Sequence, residues 1–143
     1  MENSELLKHI ISTLITVSGR KTTETHAVFI MDKVMKKLQN QYDFLRHVNL
    51  QDTTFLEDGE PVSIMTNLNS ISKKDLGEVL YKIISNMNEN LGEDAGHFFI
   101  KEVAKNVRSD FTTIIKEIGL DFNLMQLENE INEMEKRMVN RLK

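Results

Sequence analysis

With 143 residues, 40% hydrophobic and 28% charged, the chain has the size and composition of one globular domain, and bulk disorder is excluded. It contains no cysteine, which excludes disulfides, thiolate metal sites and cysteine nucleophiles and suits a reducing cytoplasm. The net charge of −4 gives the chain as a whole no attraction for phosphate backbones.

The opening Met-Glu-Asn-Ser-Glu has no basic flank, so it does not read as a signal peptide. The first helix is expected over Ser4–Ser18, with Ser4 as cap and Gly19 as its left-handed stop. Its apolar face is Leu6, Leu7, Ile10, Ile11, Leu14 and Val17. The stretch from Ile10 to Val17 is broken by Ser12, Thr13 and Thr16 and falls short of the ~20 apolar residues a membrane span needs.

Thr22 or Thr23 opens a second helix whose stripe runs Ala27, Ile30, Met31, Val34, Leu38, Tyr42 and Leu45. The stripe stays in phase across Gln39-Asn40-Gln41, so one long helix is expected to end near Val48. Residues 49–71 then form an insertion. Within it, Thr53–Leu56 and Val62–Thr66 flank Asp58-Gly59, the signature of a short hairpin at 53–66, set against an irregular connection. Pro61 confines any such strand to an exposed edge.

Ser72 caps a third helix with Leu76, Val79, Leu80, Ile83, Ile84 and Met87 on its apolar face, ending at Leu91-Gly92. A fourth carries Phe99, Ile100, Val103, Val107, Phe111, Ile114, Ile115 and Ile118 and stops at Gly119. In its first turn Glu93 and Asp94 offset the helix dipole. Gly96 suits a close helix–helix approach, and Met31, Met87 and Met134 lie on apolar faces while Met35, Met65 and Met125 fall off them.

The two helix pairs resemble each other. Leu6, Ile10, Leu14 and Val17 match Leu76, Leu80, Ile84 and Met87. With one residue dropped, Phe29, Ile30, Met31, Val34 and Leu38 match Phe98, Phe99, Ile100, Val103 and Val107. With that residue restored, Phe44, Leu45, Val48 and Leu50 match Ile114, Ile115, Ile118 and Leu120. The expected fold is therefore all-α: a bundle over 1–120 of two similar antiparallel helix pairs, and a C-terminal amphipathic helix over 121–143.

Asp121 caps that last helix. Its apolar residues Leu120, Leu124, Leu127, Ile131, Met134 and Met138 are spaced 4-3-4-3-4, the narrow seam of an association helix. Glu128, Glu130, Glu133 and Glu135 crowd its first half, and Lys136, Arg137, Arg141 and Lys143 its second. Two copies could thus pair antiparallel, acid against base. Leu124, Leu127, Ile131, Met134 and Met138 are the expected partner or dimer interface, with self as partner and another protein as an alternative.

Catalytic signals are missing from the sequence. Glu5/His9, Asp43/His47 and Glu93/His97 put acid and imidazole one helical turn apart, which reads as surface charge pairing. Asp94-x-x-His97 alone has the spacing used in di-iron bundles, and without a second ligand set it is a poor metal candidate. None of the four histidines is followed by the lysine and glycine of a phosphotransfer bundle. No Gly-x-Ser-x-Gly elbow or glycine-rich phosphate cradle occurs. Lys33, Lys36 and Lys37 form a basic strip, read as a solvated helix face rather than a nucleic-acid contact. The functional expectation is a cytoplasmic, non-enzymatic interaction or regulatory protein without a cofactor. The alternative is a small-molecule- or metal-binding bundle using Asp94 and His97.

Overall fold

The computed structural model describes residues 3–56, 59–64, 68 and 70–142, without the side chains of residues 93–95 and 142. Among them are six α-helices and one two-stranded antiparallel sheet, a mostly all-α fold. At its centre is α1 (Asn3–Lys21), whose Leu6, Leu7, Ile10, Ile11, Leu14, Ile15 and Val17 are fully or almost fully buried. A helix that apolar over so wide an arc must be covered on several sides. It packs against α2 (Glu24–Leu38), α3 (Lys73–Gly96), α4 (Phe99–Asn106) and the second strand. Its buried hydroxyls are satisfied within the helix: Thr13 donates to the His9 carbonyl at 2.8 Å and Ser18 to the Leu14 carbonyl at 2.7 Å.

Gly19 does not stop α1, which runs on to Lys21. Its backbone is not left-handed; instead a Cβ there would lie 3.4 Å from the Glu24 Cα, so the glycine lets α2 begin close by. Thr23 is the cap of α2, its hydroxyl accepting the His26 N–H at 3.1 Å. The helix then ends ten residues earlier than the periodicity predicts, at Leu38. Gln39–Gln41 form a turn, Asp43–His47 a 3₁₀-helix and Val48–Leu50 a strand, β1. Tyr42 and Leu45 still reach the core, because the 3₁₀ segment carries the chain on along the bundle.

The insertion does hold a hairpin, with a different first strand. β1 pairs with β2 (Val62–Ile64) in the register Val48↔Ile64, Asn49↔Ser63 and Leu50↔Val62. Pro61 lies just before β2 and contributes its carbonyl, which accepts the Gln51 N–H at 3.0 Å. Thr53 and Thr54 are not strand residues, because Glu24 holds them: its carboxylate accepts the Thr53 N–H at 2.9 Å and the Thr53 hydroxyl at 2.6 Å. Asp52 accepts from the hydroxyls of Thr25 and Thr54, and these bonds lower its pKa to about 2. Asp58, Met65 and Thr66, which the hairpin pattern also used, lie outside the described residues.

Ser72 caps α3, accepting the Asp75 N–H at 3.1 Å. The helix breaks at Gly92 (φ 83°, ψ 175°), where an end was expected, and resumes for one turn to Gly96. A Cβ on Gly96 would sit 2.9 Å from the Asn88 carbonyl oxygen, so close packing is its role. The expected fourth helix is two helices. α4 stops at Asn106, Val107 and Arg108 are extended, and a 3₁₀ turn at Ser109–Phe111 leads into α5 (Thr112–Glu117). Neither the 3₁₀ turn nor α5 has a side-chain cap; the Asp110 carboxylate instead accepts from the Arg108 guanidinium, at 3.1 Å from Nε.

Gly119 (φ 78°) closes α5 with the paired bonds of a Schellman motif, Leu120 N–H to the Ile115 carbonyl and Gly119 N–H to the Lys116 carbonyl. Asp121 then caps α6 (Phe122–Leu142) through the Leu124 N–H at 3.0 Å. Met35 and Met125 are buried, contrary to the one-stripe expectation. α2 touches both α1 and α3, so its buried arc is wider than one stripe, and Met125 lies on the docked side of α6. No described helix is long and apolar enough to cross a membrane.

Candidate interaction surface

α6 lies against α4, and what holds it there is mainly polar. The Gln126 side chain bridges the α3–α4 junction, donating to the His97 carbonyl at 3.0 Å while its Oε1 accepts the Lys101 N–H at 3.3 Å. His97 Nδ1 meets Glu133 Oε2 at 2.8 Å, Asn88 donates to Asn129 at 2.7 Å, and the Tyr81 hydroxyl donates to Glu128 at 2.7 Å. The bond to Glu128, followed by burial, raises the Tyr81 pKa above its ordinary value. Met125 is the buried apolar anchor, with Phe122 half-buried beside it. At ~100° per residue, Phe122, Met125, Gln126, Asn129 and Glu133 share one side of the helix.

The seam is on the other side. Leu124, Leu127, Ile131, Met134 and Met138 are between 46% and 60% exposed and sit roughly 180° around the helix from the docked residues. α6 therefore folds back on the bundle without using the seam. Each of those side chains still has about 1 kcal/mol to gain from being covered, since full burial is worth about 1.5–3. Five such residues in one line form an apolar stripe of the kind that marks interaction sites. A groove of about 320 Å³ runs beside it, walled by Lys101 and Ala104 of α4 and by Phe122, Leu127 and Glu130 of α6.

The other sequence candidates have local partners. His97 is held by Glu133 and packs edge-on to Phe98 at 4.3 Å, while the Asp94 side chain lies outside the described residues. Among the described residues no group of three or more histidines or acids converges as a metal site. Lys36 pairs with Asp32 at 2.8 Å, Lys37 donates to Asn86 at 3.0 Å, and Lys33 lies over the Phe29 ring at 5.6 Å.

His9, read from the sequence as a surface partner of Glu5, stacks flat on Phe111 at 4.6 Å and accepts the Arg108 N–H on Nε2 at 3.1 Å. It thereby satisfies the extended backbone between α4 and α5. Burial, and then the Arg108 charge, push its pKa below 6.5, against the opposing pull of Asp110. Below pH 6.5 the unfolded chain takes up this proton before the folded chain does, so stability falls as pH falls through that window. The denaturation midpoint should drop more between pH 7.5 and 5.5 for the native chain than for His9→Gln, which keeps an acceptor but cannot charge. Equal drops would show that His9 is not the group responsible.

No known protein family, curated protein or solved structure matches the chain. What its own residues define is a mostly all-α protein with a small two-stranded sheet and an apolar helical seam turned to solvent.

Proposed function

We propose that the protein is a non-enzymatic, cytoplasmic interaction or regulatory protein that works through the outer face of α6, as a homodimer. One observation carries the reading: α6 is fastened to its own bundle by polar bonds on one side while its apolar seam stands exposed on the other. Apolar repeats spaced 4-3-4-3 are coiled-coil chemistry, so a helix is the natural occupant of the seam. The cytoplasmic setting rests on the cysteine-free composition.

An internal repeat is part of the same proposal, and the burial pattern supports it. Leu6, Ile10, Leu14 and Val17 are buried, as are Leu76, Leu80, Ile84 and Met87, and the matched Phe29 and Phe98 are both exposed. A repeated core leaves the working surface to the parts without a counterpart, the insertion after β1 and α6, and of these α6 carries the exposed apolar seam.

Replacing Leu127 and Ile131 together by Asp places two charges on the seam and none in the core. The variant should keep its helical circular dichroism and lose the concentration dependence of its denaturation midpoint, while its mass by light scattering falls to that of one chain. An unchanged mass would remove the seam from the interface.

A further inference from the structure

We infer that the occupant of the seam is a second copy of this chain laid antiparallel across it, with Ile131 of each copy against Met134 of the other. This rests on the proposal that the seam is an interface, and it adds the partner's direction and register.

Charge decides the direction. The first half of α6 carries Glu128, Glu130, Glu133 and Glu135, and the second Lys136, Arg137 and Arg141. A parallel pair would set Glu130 across from Glu135 of the second copy, twice by symmetry, and would bring no base across from an acid. The antiparallel pair centred between Ile131 and Met134 sets Glu130 across from Arg137 of the second copy, twice by symmetry. It also lays the Arg141 stem over Leu124, with its guanidinium toward the acidic end. The cost of this register is Glu128 facing Glu135. That cost is reduced because the Tyr81 hydroxyl already holds Glu128 toward α3, at 2.7 Å.

Shape agrees with charge. The groove between α4 and α6 flanks the first half of the seam at Leu127. In this register the second copy brings its Met138 against Leu127, at the edge of that groove. The contact is isologous, so each pairing occurs twice and the assembly closes as a dimer.

A chain without cysteine makes the test direct, because introduced thiols are the only ones present. In the antiparallel register Leu127 of one copy faces Met138 of the other, whereas the two Leu124 Cα atoms stand about 25 Å apart. A disulfide requires Cα atoms within about 7 Å. Leu127→Cys mixed with Met138→Cys and oxidised should give a mixed disulfide, and Leu124→Cys alone should give none. A Leu124→Cys homodisulfide would overturn the direction in favour of a parallel pair. No disulfide from any variant, with the mass still that of two chains, would also overturn it and move the contact off the seam. A native mass of one chain would instead defeat the underlying interface reading, and this inference with it.

Discussion

Gly77→Ala is expected to cost about 3 kcal/mol or more of folding stability, the upper end of what overpacking does. A Cβ added at Gly77 would lie 2.1 Å from the carbonyl oxygen of Ile118 and 3.2 Å from its carbonyl carbon. The atom in the way is backbone, so no rotamer change relieves the overlap. Either α3 or the turn after α5 must move, and both are pinned: α3 by the wholly buried Leu76, Val79 and Leu80, the turn by the Schellman bonds at Gly119. At most exposed helix positions the same exchange stabilises by up to about 1 kcal/mol, so the sign is the test. Urea denaturation reads it, and a variant as stable as the native chain would mean that α3 and Ile118 do not meet this closely.

Two adjacent phenylalanines should answer the same substitution in opposite ways. Phe99 is wholly buried where α4 meets α1 and α3, and Phe99→Ala is expected to lose about 3–5 kcal/mol through lost transfer energy and a cavity. Phe98 is 47% exposed and touches His97 at its ring edge and the Lys101 ammonium at 6.0 Å. Phe98→Ala should cost less than about 1 kcal/mol. Similar losses at the two positions would mean that α4 is rotated from the orientation described.

The sequence announces the core far better than the surface. Caps at Thr23, Ser72 and Asp121 and the stop at Gly119 are local chemistry, visible wherever the residue types occur. Helix length is less local. Gln39-Asn40-Gln41 is a turn signal that an in-phase stripe outweighs on paper, and the chain turns there regardless. The β1 strand shows why: once Val48–Leu50 pairs with Val62–Ile64, the ladder takes residues that periodicity alone assigns to a helix end. Gly77 gives no sequence signal at all, because what it accommodates is a carbonyl 41 positions away.

The seam was legible and its setting was not. A 4-3-4-3-4 spacing identifies Leu124 through Met138 as apolar and aligned. Whether that stripe faces the bundle depends on what Gln126, Asn129 and Glu133 meet, and they meet His97, Lys101 and Asn88 from distant parts of the chain. The polar face of the helix is the docked one. That inversion leaves the hydrophobic effect with something still to do after folding, and the proposed self-association through α6 rests on it.

The measurement closest to this claim is the mass of the unaltered chain by sedimentation equilibrium across a wide concentration range. It should rise from 16.6 kDa toward twice that value as concentration increases, with the midpoint moved to higher concentration by the Leu127→Asp, Ile131→Asp pair. A mass of 16.6 kDa at every concentration would contradict it.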